Sequence, residues 1–163
     1  MPKYRLLSKE ELLQFEKEFI EYLAANGIAA DDWERLKADE NDKAERIVEL
    51  FSDVVLEGVL RNIEFLELRS KQQLMTFQCL PEKILLAGMR SDDANANFTD
   101  PEFIQRGLTA PPAGLSVFSS EKEYEPNRER ELFEMTEAGC LVSDGKLFKA
   151  LSLAIAGSQS GDV

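Results

Sequence analysis

Apolar positions recur with a period near 3.6 in the first third of the chain and near 2 in its middle, and this change predicts a mixed fold. Ser8-Lys9-Glu10-Glu11 has the form of a capping box, with Ser8 serving the third amide and Glu11 reaching back. Leu12, Phe15, Phe19, Tyr22 and Leu23 then form one stripe, and Asn26-Gly27 supplies a left-handed stop. A short helical turn is expected from Asp31 or Asp32 through Trp33 and Leu36. Asp42 with Glu45 repeats the capping box, and Ile47, Leu50, Phe51, Val54 and Val55 predict a core helix that ends at Gly58.

Beyond Gly58 the alternation predicts three strands in a meander, 62–70, 72–80 and 83–89, with a proline turn at Leu80-Pro81-Glu82-Lys83. Met75, Phe77 and Cys79 are expected to point inward, and Thr76 and Gln78 onto a half-solvated face. The alternation slips at Phe65-Leu66, as a bulge would make it do. Residues 91–114 are rich in Asp, Asn, Pro and Gly and read as a loop with one helical turn at 101–106. Leu115 to Phe118 adds a short edge strand, and a helix over 126–138 has proline in its first turn and Gly139 at its stop. Ser143-Asp144-Gly145 opens a last helix whose stripe is Leu147, Phe148, Leu151 and Ile155, widened by Leu153 and several alanines. That wide face predicts either domain core, the preferred reading, or a self-association contact.

The expected architecture is therefore α+β: a small antiparallel meander sheet of three to four strands packed against N-terminal and C-terminal helices. One domain is expected over 1–156, with a flexible tail at 157–163. At 163 residues the chain has the size of one domain.

Charge narrows the classes of partner. With 31 acidic and 19 basic residues the net charge is −12, a field that repels nucleic-acid backbones and anionic lipid heads. No nucleic acid and no membrane are expected as partners; a protein partner or a second copy is. The longest apolar stretches fall far short of the roughly 20 residues of a bilayer span. Met1 to Arg5 run into an amphipathic segment with no apolar signal core, which predicts a cytoplasmic protein.

The chain contains no histidine, which removes Ser-His-Asp and Cys-His nucleophile pairs, His-ligated zinc and any imidazole proton shuttle. Cys79 and Cys140 are too few for a four-cysteine zinc site and read as reduced thiols. No cofactor is expected, since no glycine-rich phosphate loop occurs. Carboxylates remain. Glu49, Asp53 and Glu57, spaced by four along one helix face, are the candidate ligands for magnesium in an alternative reading as a carboxylate-only hydrolase. Asp93, Asn95 and Asn97 match positions one, three and five of a calcium loop, but Phe98 and Ile104 stand where the glycine and the bidentate glutamate are needed, so a solvated loop is expected. Arg128 and Arg130, near Lys122 and Tyr124, are interleaved with Glu129 and Glu131 and predict ordinary surface pairing.

Three groups of segments resemble an uncharacterised family of small acidic bacterial proteins, one of the families of unknown function. They are Lys3-Tyr4-Arg5-Leu6-Leu7, Phe51-Ser52-Asp53 with Glu57-Gly58-Val59-Leu60, and Ala138-Gly139 through Ser143-Asp144-Gly145-Lys146-Leu147. The resemblance implies a small intracellular protein and supplies no activity, substrate or site. The function expected from the residues is a non-catalytic interaction or regulatory module.

Overall fold

Ser8 opens the first helix as its capping box predicts. Its Oγ accepts the Glu11 amide at 3.2 Å, and Glu11 Oε1 accepts the Ser8 amide at 2.9 Å. The structure, a computed structural model, describes residues 1–160. It forms two compact units, Met1–Arg61 and Asn62–Val163.

The first unit is helical: α1 (Lys9–Gln14), α2 (Glu16–Ala25), α3 (Ala30–Asp39) and α4 (Asn41–Arg61). One helix was expected where α1 and α2 stand. Phe15 breaks it, with φ −102° and ψ 22°, yet its N–H still donates to the Glu11 carbonyl and its own carbonyl accepts from Phe19. A one-residue departure of this kind leaves the apolar spacing intact, so the stripe cannot show it. Phe19 meets Trp33 edge-on at 5.2 Å and Phe51 at 4.9 Å, and Tyr22 meets Phe51 at 5.4 Å. These contacts centre the unit on Phe51, which is 2% exposed.

Helix α4 does not stop at Gly58 but runs three residues on to Arg61. A mid-helix glycine costs about 1 kcal/mol relative to alanine. Burial of Leu56 and Leu60 on either side of it offsets that cost. Arg5 braces α1 through a two-pronged pair with Glu11, Nη1 to Oε1 at 2.7 Å and Nη2 to Oε2 at 3.0 Å. The Arg5 guanidinium first, and the Ser8 amide second, hold the Glu11 carboxyl down at about 2. A depressed folded-state pKa contributes stability above the unfolded-state value and loses it as pH falls through the folded one. Chemical denaturation between pH 5 and pH 2 is therefore expected to show the wild type losing stability faster than Glu11→Gln. Parallel curves for the two proteins would refute this.

The second unit contains β1 (Phe65–Arg69), β2 (Gln73–Cys79), β3 (Lys83–Ser91), α5 (Pro101–Thr109), β4 (Leu115–Glu123), α6 (Arg128–Glu137), β5 (Leu141–Val142) and α7 (Lys146–Ser160). Its sheet is antiparallel throughout, in the order β4-β3-β2-β1-β5. The α+β class holds, but the sheet has five strands where three to four were expected. The two residues of β5 are too few to show a period. The flexible tail expected at 157–163 falls partly on the end of α7, 157–160, and partly outside the described residues.

Two expectations about the sheet are corrected. The pairing of β1 with β2 runs unbroken from Phe65 opposite Gln78 to Arg69 opposite Leu74, so no bulge exists at Phe65-Leu66. Both residues are apolar because both faces of β1 are covered: Phe65 is 7% and Leu66 0% exposed. Thr76, expected on a half-solvated face, is instead fully buried. Leu74 is fully buried with it, whereas Met75 and Phe77 are only partly so; Cys79, buried, and Gln78, partly exposed, stand as expected. The Thr76 hydroxyl donates to the Ala87 carbonyl at 2.6 Å, which satisfies a polar group within this core. There Phe65, Leu74, Ala87 and Met89 pack with Ile104 of α5 and Phe148 and Leu151 of α7. The stripe of the last helix is thus core, while Leu153 stays 74% exposed. No helix among the described residues is long and apolar enough to cross a membrane.

Candidate functional site

The three carboxylates spaced along α4 each have protein partners within the first unit. Asp53 Oδ1 accepts the Lys3 amide at 2.7 Å, Glu57 Oε1 meets Lys3 Nζ and Arg61 Nη2 at 3.4 Å each, and Glu49 Oε2 meets Arg46 Nη1 at 3.1 Å and the Met1 amine at 3.3 Å. The i, i+4, i+8 spacing does place them on one face. What that face holds is the segment 1–3. Among the described residues no group of three or more Cys, Asp or Glu is placed to hold a metal ion.

The residues resembling a calcium loop cap their own backbone. Asp93 Oδ1 accepts the Asn95 amide at 2.9 Å, and Asn97 Oδ1 accepts the Thr99 amide at 3.2 Å and the Thr99 hydroxyl. Phe98, fully buried, anchors the loop.

Arg128 differs from its expected role in surface pairing. Its Nε donates to the Leu80 carbonyl at 3.3 Å, and Nη2 donates to the carbonyls of Cys79, at 3.2 Å, and Ile63. Tyr124 adds a hydroxyl to the Leu80 carbonyl at 2.7 Å. These donors close the end of β2 and the approach to β1, a structural task. Beside them, burial and then the neighbouring Cys140 push the Cys79 thiol up to about 11 against the pull of Arg128, and burial lifts Cys140 as well. Neither thiol is a ready nucleophile near neutral pH.

Two features of the second unit face outward. The first is β4, nine residues long and last in the sheet, with no strand on its outer side among the described residues. Leu115 to Ser120 carry no charge, whereas Glu121-Lys122-Glu123 do. A groove of ≈ 450 Å³ lies on the α7 face of this strand, lined by Leu85, Ser119, Glu121, Phe148 and Ile155 among others. A second, of ≈ 280 Å³, lies on the α6 face and is lined by Phe77, Leu86, Lys122, Glu131 and Met135 among others. Alternate side chains of a strand enter opposite faces, so the grooves flank the edge as two reading positions would.

The second feature is a cavity of ≈ 400 Å³ between β1, α5 and the first turn of α7. Ile104, Leu108, Leu147 and Ala150 give it apolar walls; Glu67, Arg69, Gln105, Asp144 and Lys146 add polar ones. Glu67 and Arg69, two apart on one strand, share a face, and Glu67 Oε2 accepts both Arg69 Nε at 3.2 Å and Nη2 at 2.9 Å. Period-2 alternation places that pair on one face but gives no sign that α5 and α7 close a cavity over it.

The chain matches a family of unknown function, DUF6495, over residues 1–156, a span that covers most of both units. No curated protein and no solved structure matches it. The resemblance read in the sequence is borne out to this extent: the chain belongs to the family of unknown function DUF6495.

Proposed function

We propose that this protein is a non-catalytic, cytoplasmic interaction module that captures an extended segment of a basic partner protein along the outer edge of β4. The observation that carries this reading is a nine-residue strand with an open edge and a groove on each face. Main-chain hydrogen bonds to an added strand supply affinity, and alternate side chains in the grooves supply specificity. Glu121 and Glu131 line those grooves but are paired with Lys83 at 3.0 Å and Lys122 at 2.7 Å, so the preference for Lys and Arg in the partner rests on the −12 of the whole chain, which also repels nucleic acid. A magnesium-dependent reaction at Glu49, Asp53 and Glu57 lacks comparable support, because those carboxylates are taken up in holding residues 1–3 and no group of three among the described residues is placed to hold a metal ion.

Selection from a random peptide display library tests the proposal. Selected peptides are expected to alternate apolar and basic residues and to protect alternate amides of Leu115–Ser120 from hydrogen exchange. Glu121→Lys, at a side chain 61% exposed, is expected to weaken them severalfold. Peptides that protect amides elsewhere would refute the site. A concentration-dependent dimer protected along β4 would replace the partner by a second copy.

A further inference from the structure

We propose that the cavity between β1, α5 and α7 is a binding site for a small zwitterion, a free α-amino acid with an aliphatic side chain. It stands apart from the β4 edge, since β1 and β4 are separated in the sheet by β2 and β3.

The Glu67–Arg69 pair leaves part of its hydrogen-bonding capacity unused. Both Arg69 donors fall on Oε2, so among the described residues Glu67 Oε1 accepts no hydrogen bond and Arg69 Nη1 donates none. The Glu67 side chain is only 13% exposed. A ligand donor meets there a carboxylate that is already partly desolvated, where a charge pair is stronger than in open water. The pair therefore leaves one carboxylate oxygen and one guanidinium nitrogen without a protein partner on the β1 wall of the cavity, charges of opposite sign that an ammonium and a carboxylate of one ligand can each meet.

The surroundings support the same ligand. Lys146, whose side chain is 90% exposed, can swing its ammonium toward the carboxylate, because only a 3.8 Å contact with Asp144 engages its Nζ. Asp144 itself is occupied with α7, since its Oδ1 accepts the Lys146 amide at 3.0 Å. The side-chain amide of Gln105 makes no hydrogen bond among the described residues and is available as a further polar contact. The apolar wall of Leu108, Leu147 and Ala150 suits a branched aliphatic side chain, and the ≈ 400 Å³ falls within the range of small-molecule pockets. A simple anion would face Glu67 and a simple cation would face Arg69, so only a ligand carrying both charges meets both without a clash of sign.

Titration of the full chain with L-leucine, followed by methyl NMR of Ile104, Leu108 and Leu147, tests the proposal. 4-Methylpentanoate, which lacks the ammonium, and 3-methylbutylamine, which lacks the carboxylate, serve as half-ligands. Saturable shifts are expected with leucine below roughly 10 mM. Each half-ligand is expected to bind at least about tenfold more weakly. Glu67→Gln is expected to weaken leucine about tenfold, as removal of one partner of a desolvated charge does. Lys146→Glu, at an exposed position where folding is not at stake, is expected to weaken leucine and 4-methylpentanoate alike. No saturation by leucine, equal binding of leucine and 4-methylpentanoate, or a Lys146→Glu protein that binds leucine like the wild type would each overturn the site. None of these outcomes bears on β4.

Discussion

Gly145→Ala is expected to lower the stability of the protein by about 3 kcal/mol, two effects at one carbon contributing. Gly145 joins β5 to α7 with φ +83°, where an alanine costs about 1 kcal/mol or slightly more. Its added Cβ would stand 2.5 to 2.7 Å from three atoms of the Phe65 ring, a core side chain that also packs on Phe148 at 5.9 Å. Phe65 is pinned by its strand and cannot withdraw, because its carbonyl accepts the Ser143 amide at 3.0 Å. Overpacking of this kind costs about 1–3 kcal/mol. Gly114→Ala separates the two effects, for Gly114 has φ +85° and nothing within 4 Å of its Cβ position. It should lose only the conformational part, about 1 kcal/mol. Urea denaturation with unchanged m-values measures both. Equal losses for the two variants would mean that the contact with Phe65 is not the cause.

Arg128→Met should cost a similar amount, about 2–3 kcal/mol, by leaving acceptors rather than by adding atoms. The Leu80 carbonyl keeps its Tyr124 hydroxyl, whereas the carbonyls of Ile63 and Cys79 lose their Arg128 donor. Arg128→Lys keeps the charge but replaces a planar fork by one point donor, so it is expected to recover only part of the loss. Arg46→Met, at a side chain 58% exposed and paired with Glu49, is the control and should change stability by about 0.5 kcal/mol or less. If the Arg128 and Arg46 variants melt alike, the inward guanidinium contributes nothing beyond an ordinary surface pair.

Arg128 also marks where sequence reading stops. The pattern Arg-Glu-Arg-Glu at 128–131 describes a solvated helix face, and Arg130 with Glu134 at 3.2 Å fits it. Nothing local distinguishes the arginine that turns inward, because its acceptors belong to strands closed by sheet pairing. The Ser8 capping box, by contrast, was legible because all its atoms lie within four residues. The strands of the meander were legible within a few residues of their ends, since two-fold alternation survives even where both faces are covered. Which face is buried was not, because a covered sheet is apolar on both sides and Thr76 is polar on the inner one. Glu67 and Arg69 could be placed on one face, but Gln105 and Lys146 reach the same cavity from helices far along the chain. The acids of α4 teach the converse: their spacing correctly announced a shared face, and the donors of residues 1–3 decided what that face does.

The clasp made by Arg128 has a consequence for the order of assembly during synthesis. Its acceptors at Ile63, Cys79 and Leu80 precede it by 65, 49 and 48 residues. The first hairpin is therefore translated in full before the guanidinium that caps its end has left the ribosome. Until then the carbonyls of Ile63 and Cys79 must rely on water, and that end of the hairpin stays open to solvent exchange. A meander with short-range pairing is able to form early, but its final closure belongs to a contact of long sequence separation and comes late.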